Sequence, residues 1–168
     1  LVHKGLVERG DHVVSIIPTY QQHYSIPRSI EANVATLSLE ASDGFLPDLD
    51  RLRSMVTLET KLIALTNPNN PTGALIERPM LEAIAEVADS VGAYLLCDEV
   101  YRGTGQVGDG MVPSIVDIYH RGISTAGISK VFSLAGLRVG WVVAPKEVTE
   151  KIMIHRDYDT ISVGMIND

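Results

Sequence analysis

Cysteine is almost absent from this chain: Cys97 stands alone among 168 residues. No internal disulfide can form, which fits a reducing compartment and a cytoplasmic location. Positive charge is in deficit too. The 14 Lys and Arg side chains are outnumbered by 21 Asp and Glu, for a formal net charge of −7. That balance argues against nucleic acid or an anionic membrane as the main partner. No apolar run approaches the roughly 20 residues needed to span a bilayer. The N-terminus has no charged segment followed by an apolar stretch and a small-residue cleavage site, so no signal peptide is read there. Internal repeats, low-complexity stretches and linkers are missing. His3, His12, His23, His120 and His155 show no metal-ligand spacing and no pairing with Cys97. They read as surface or capping residues, and no metal is expected.

What is present is apolar and regularly punctuated. Hydrophobic residues make up 45 % of the chain, enough to exclude disorder and to build one domain with a core. Short apolar runs at 13–17, 33–39, 61–66, 93–97, 122–128 and 139–144 read as strands. Helical spacing covers 25–31, 46–56, 77–91, 114–119 and the stretch from Lys146 onward, with Gly92 closing the fourth strand's preceding helix. Strands separated by helices predict βαβ units, hence a three-layer α/β/α fold with a mostly parallel sheet. Such a sheet binds ligands outside the carboxyl ends of its strands. Both ends read as cut. Leu1 is not an initiator methionine, Leu1, Val2, Leu6 and Val7 form an uncapped helix face, and Ile166-Asn167-Asp168 carries no stop signal. The expectation is a piece of a longer protein, or a trimmed one.

Lys130 sits between apolar Ile128 and Val131-Phe132, after a predicted strand. A lysine in a loop is ordinarily a solvated charge. If its apolar neighbours bury it, its pKa falls and the neutral amine becomes a nucleophile toward aldehydes. Arg138, in Gly136-Leu137-Arg138-Val139-Gly140, is either half of a structural salt bridge or a planar fork for a phosphate. Ser133 lacks the context of a nucleophile elbow.

The run from Gly127 to Gly140, with Ser129-Lys130 and Arg138 in place, resembles the lysine-attachment signature of class I and II pyridoxal-phosphate aminotransferases. Asn67-Pro68-Asn69-Asn70-Pro71-Thr72-Gly73 is similar to that family's Asn-Pro-rich loop, Asp98-Glu99-Val100-Tyr101 to its Asp-Glu-x-Tyr element, and Pro18-Thr19-Tyr20 to its aromatic stacking segment. All stand in the family's order along essentially the whole chain.

The resemblance implies the large domain of a fold type I enzyme, incomplete over residues 1–168, with pyridoxal 5'-phosphate as cofactor. Lys130 is then the Schiff-base lysine and proton shuttle. Asp98 pairs with the pyridine nitrogen. Tyr101 and Asn70 donate to the ring hydroxyl oxygen, Tyr20 stacks on the ring, and Arg138 and Ser129 hold the phosphate. Each has a plainer alternative: a cap for Asp98, a turn residue for Asn70, core packing for Tyr20. Many relatives carry a phosphate-binding serine where this chain has Gly127.

The resemblance further implies amino-acid and 2-oxo-acid substrates and a homodimer in the complete protein. It also implies a glycine-rich helix start before Leu1 and a substrate-gripping arginine after Asp168, so that this chain alone turns over nothing. β-Elimination, cyclisation of an amino acid, or a non-catalytic cofactor-binding piece are the alternatives on the same scaffold.

Overall fold

The computed structural model describes residues 1–105, 110–160 and 162–164. The Ile166-Asn167-Asp168 end lies outside the described residues. Strand formation follows the apolar runs: β1 (His12–Ile17), β2 (Asn33–Ser38), β3 (Thr60–Thr66), β4 (Tyr94–Asp98), β5 (Gly122–Gly127) and β6 (Gly140–Val143). Among the described residues these six strands form one sheet in the order β2-β1-β3-β4-β5-β6. Pairing is parallel through β5, and β6 alone runs antiparallel, against β5. The middle strands are buried on both faces, which is why they read as continuous apolar runs and not as alternating ones.

Successive side chains point to opposite faces, and two separate cores result. Val14, Ile63, Leu65 and Leu95 pack under α3 (Leu49–Met55) and α4 (Arg78–Ser90). Val13, Leu62, Ala64 and Leu96 pack under α1 (Val2–Leu6) and α5 (Lys146–Asp159). This is the three-layer α/β/α arrangement with a mostly parallel sheet that the residue pattern predicts. Helix ends follow local chemistry. The Asp48 carboxylate caps α3 by accepting from the N–H groups of Asp50 and Arg51 at 2.9 and 3.0 Å. Helix α4 stops where Gly92 takes φ +68°, and the Ala93 N–H donates back to the Ala88 carbonyl at 2.9 Å.

Three helices differ from the sequence expectation. The helix expected at 25–31 is α2 (Gln22–Ser29), which starts earlier because His23 and Pro27 bury one face. The helix expected from Leu46 begins at Leu49, since the residue before Pro47 is disfavoured in helical conformation and Asp48 supplies the cap. The stretch 114–119 holds only a single 3₁₀ turn, Ile115–Asp117, because the Glu99 carboxylate takes the Ser114 hydroxyl and the Ile115 N–H.

Ile63 is fully buried while Leu58 is 86 % exposed. Ile63→Ala is expected to cost about 3 kcal/mol of unfolding free energy through a cavity in the core. Leu58→Ala should change stability by less than about 0.5 kcal/mol. Urea denaturation of the two variants checks the contrast.

Candidate functional site

Parallel pairing sends the loops after β1, β3, β4 and β5 out of the same edge of the sheet. A cleft of about 370 Å³ opens there, and its walls include Tyr20, Asn70, Asp98, Tyr101, Ser129, Lys130 and Arg138. The volume lies within the range of small-molecule sites. The cleft gathers a carboxylate, an amine, a guanidinium, a phenol, a carboxamide and an aromatic ring from segments that are far apart in the sequence.

Asp98 is the last residue of β4 and lies between two neighbours in register, Thr66 on β3 and Thr125 on β5. One of its oxygens, Oδ1, accepts the Val100 N–H at 3.1 Å. Burial pushes the Asp98 pKa up; hydrogen bonds from Val100 and from the Thr125 hydroxyl pull against that shift. Behind Asp98, on the α1 and α5 side, lies a larger cavity of about 520 Å³ that Asp98 and Thr125 also line. The carboxylate therefore stands in the wall between two openings.

Lys130 corrects one expectation. It is exposed, and the apolar neighbours that were expected to bury it, Val131 and Phe132, are themselves 36 % and 60 % exposed. The residues from Lys130 to Gly136 are all exposed in this chain. Lys130 Nζ lies 5.8 Å from the Tyr101 ring centroid, within cation–π range. Arg138 is also exposed, and it forms no salt bridge among the described residues. Its guanidinium donates to the Ala135 carbonyl at 2.7 Å, and its backbone takes φ +58°.

The histidines supply a second correction. His3 and His23 are only 6 % and 5 % exposed, neither surface nor cap. They meet edge to face at 5.7 Å between ring centroids. The Nε2 of His23 lies 3.3 Å from the Thr66 hydroxyl and 4.0 Å from Asp98 Oδ2. The Nδ1 atoms of both rings are buried with no hydrogen-bond partner among the described residues. Burial pulls the His23 pKa down to about 4. For His3 it falls to about 3, with burial the main cause and the neighbouring His23 adding to it. Sequence reasoning missed them because α2 was expected to begin at Ser25, which left His23 in a loop.

Other polar residues of the motifs hold the loops and do not face the cleft. The Asn67 side chain donates to the Ile76 carbonyl at 2.9 Å and accepts the Ile76 N–H at 2.8 Å, imitating a strand partner. Asn69 donates to the Thr72 hydroxyl and to the Pro18 carbonyl, tying the Tyr20 loop to the Asn70 loop. The Glu99 carboxylate accepts from Ser114, Ile115 and Ser124 at 2.7–2.9 Å.

Comparison with known proteins now bears on this geometry. The family model described as aminotransferase class I and II matches residues 4–157. The chain belongs to this aminotransferase family. It is 32 % identical over 163 residues to the aspartate/prephenate aminotransferase of Thermus thermophilus, covering 97 % of this chain and 42 % of that protein. It is 33 % identical over 155 residues to the capreomycidine synthase of Streptomyces vinaceus, covering 92 % and 39 %. Among solved structures, a PLP-dependent aminotransferase from Streptococcus suis superimposes with a TM-score of 0.93 at 46 % identity, over 98 % of this chain and 43 % of that one. The chain thus spans about two fifths of the length of the relatives it matches, and its fold is that of the large domain of fold type I aminotransferases.

Gly127, where the resemblance leads one to expect a serine, lies against the chain that enters β6. A Cβ at this position would stand 2.9 Å from the Val139 carbonyl oxygen, so β5 and the chain entering β6 leave no room for a side chain. Gly127→Ser is expected to lower stability by about 2 kcal/mol through overpacking, measured as a fall in the denaturation midpoint.

The buried histidines set an acid limit. The unfolded chain takes up a proton at the ordinary histidine pKa of 6.5, whereas folded His23 resists until about 4 and His3 until about 3. The stabilisation is complete above pH 6.5 and drains away as pH falls from there toward 4. Urea midpoints measured across that window should decline, and His3→Leu should flatten the decline.

Proposed function

We propose that the chain is the cofactor-binding part of a pyridoxal-phosphate-dependent aminotransferase, moving an amino group between an amino acid and a 2-oxo acid. The observation that carries this reading is the meeting of Lys130, Asp98, Tyr101, Asn70, Arg138, Tyr20 and Ser129 in one cleft at the carboxyl ends of parallel strands. Membership of the aminotransferase family supports it.

The donor set fits the cofactor group by group. A half-buried carboxylate suits a pyridinium, a phenol and a carboxamide suit a phenolate oxygen, an exposed guanidinium suits a phosphate, and an aromatic ring suits a heterocycle face. When bound, pyridoxal phosphate supplies an aldehyde that condenses with amines and a ring that draws electrons away from Cα. The residues do the rest. Lys130 would hold the cofactor through its amine and move the proton at the substrate Cα. Asp98 would hold the proton of the ring nitrogen. Tyr101 and Asn70 would donate to the ring hydroxyl oxygen, Tyr20 would stack on the ring face, and Arg138 and Ser129 would bind the phosphate oxygens.

In this reading residues 1–168 are an incomplete large domain. The complete protein works as a homodimer in the cytoplasm; the dimer rests on the family resemblance and the location on the single cysteine. No helix among the described residues is long and apolar enough to cross a membrane.

Borohydride reduction of the full-length protein loaded with pyridoxal phosphate, followed by peptide mapping, should label Lys130; a label on Lys61 or Lys146 overturns the assignment. Incubation with an amino acid and a 2-oxo acid should exchange the amino group, whereas release of ammonia or a cyclised product would move the protein to lyase or cyclase chemistry. Asp98→Asn should lower kcat by about a hundredfold, equivalent to roughly 3 kcal/mol, with cofactor attachment retained.

A further inference from the structure

Among the described residues, Asp98 has few donors for a carboxylate with roughly four lone-pair sites. The Val100 N–H reaches Oδ1 at 3.1 Å. His23 Nε2 stands 4.0 Å from Oδ2, beyond hydrogen-bond reach, and is nearer the Thr66 hydroxyl at 3.3 Å. The adjacent carboxylate, Glu99, turns away to Ser114 and Ser124. What remains is Thr125, Asp98's in-register partner on β5, which stands beside the carboxylate and lines with it both the cleft and the cavity behind it. Its backbone is fixed as well, since the Glu99 N–H donates to the Thr125 carbonyl at 2.7 Å.

We propose that Thr125 is a positioning residue whose hydroxyl, by donating to Asp98, sets where the proton rests between that carboxylate and the pyridine nitrogen of the bound cofactor. The inference rests on the cofactor reading above. A carboxylate that loses a donor becomes a stronger base, and this one is already made more basic by burial and by neighbouring Glu99. Without the Thr125 hydroxyl, Asp98 draws the proton off the ring nitrogen and the ring becomes a weaker electron sink. The Val100 donor belongs to the backbone, so Thr125 is the side chain through which the balance is adjusted. His23 adds no charge here, because burial keeps it neutral down to about pH 4.

The test uses the full-length protein loaded with pyridoxal phosphate carrying ¹⁵N at the ring nitrogen. Thr125→Val keeps the shape of the side chain and removes the hydroxyl; Thr125→Ser keeps the hydroxyl. The ¹⁵N resonance of the parent should sit at the protonated position, and that of Asp98→Asn at the neutral one. Thr125→Val should move it part of the way toward Asp98→Asn, and Thr125→Ser should return it to the parent position. The valine variant should also lose about tenfold in kcat with KM little changed. If Asp98→Asn moves the resonance and Thr125→Val leaves it at the parent position, the role of Thr125 is wrong while the cofactor reading stands. If the serine variant fails to restore the shift, Thr125 acts through packing and the proposal falls. If Asp98→Asn leaves the resonance unmoved, the cofactor reading itself fails and takes the inference with it. Should Thr125→Val not fold, Thr125→Ala is judged by the same criteria.

Discussion

A carboxylate at the end of a strand covered on both faces is an expensive thing to place, and the site is organised around placing one. β4 lies between β3 and β5 with Tyr94, Leu95, Leu96 and Cys97 all buried, and Asp98 is the residue at which the strand leaves the core. Burial works against its charge, so the charge persists only where the neighbours donate to it. The register of three strands decides what those neighbours are. Thr66 and Thr125 stand beside Asp98 because β3, β4 and β5 are aligned there, and the backbone turn after the strand brings the Val100 N–H back onto the carboxylate.

The same parallel alignment makes the cleft. Strands running one way deliver their following loops to one edge, so segments at 18–20, 67–73, 98–101 and 127–138 meet without contact between them in the sequence. Within each loop, adjacent polar residues divide the work. Asn67 and Asn69 stitch the third loop to Ile76 and Pro18, leaving Asn70 to face the cleft. Glu99 ties β4 to β5 and to the 114–115 turn, leaving Asp98 to face it. Asn70 and Asp98 thus each have a neighbour whose hydrogen bonds hold the backbone beside them, as a preorganised site requires.

Much of this was legible without coordinates. Apolar runs marked the strands, because a strand buried on both faces needs an unbroken apolar stretch. The spacing of Leu81, Ile84, Ala85 and Ala88 marked α4 and its buried face. The four motifs, through their resemblance to the aminotransferases, named the residues that the fold assembles in one cleft. These features are carried by residue type and local spacing, which the chain displays directly.

Tertiary structure alone decided which side chains are dry. Lys130 stands in an apolar sequence context yet is exposed in residues 1–168, as are Val131 and Phe132 beside it. His3 and His23 stand in polar contexts yet are buried, because α1 and α2 come together behind Asp98. The absence of a side chain at Gly127 has its cause in the Val139 carbonyl across the β5–β6 pair, and the partner of Asp98 on β5 is set by register. Burial and strand pairing depend on residues far away in sequence, and no local pattern encodes them. The chain by itself therefore displayed the strands, the long helix α4 and the chemical groups available, while contacts such as Glu99 with Ser114 and Ile115 decided where a helix stopped short. The packing of sheet against helices decided which of those groups lie in water, and so how strongly each holds its proton.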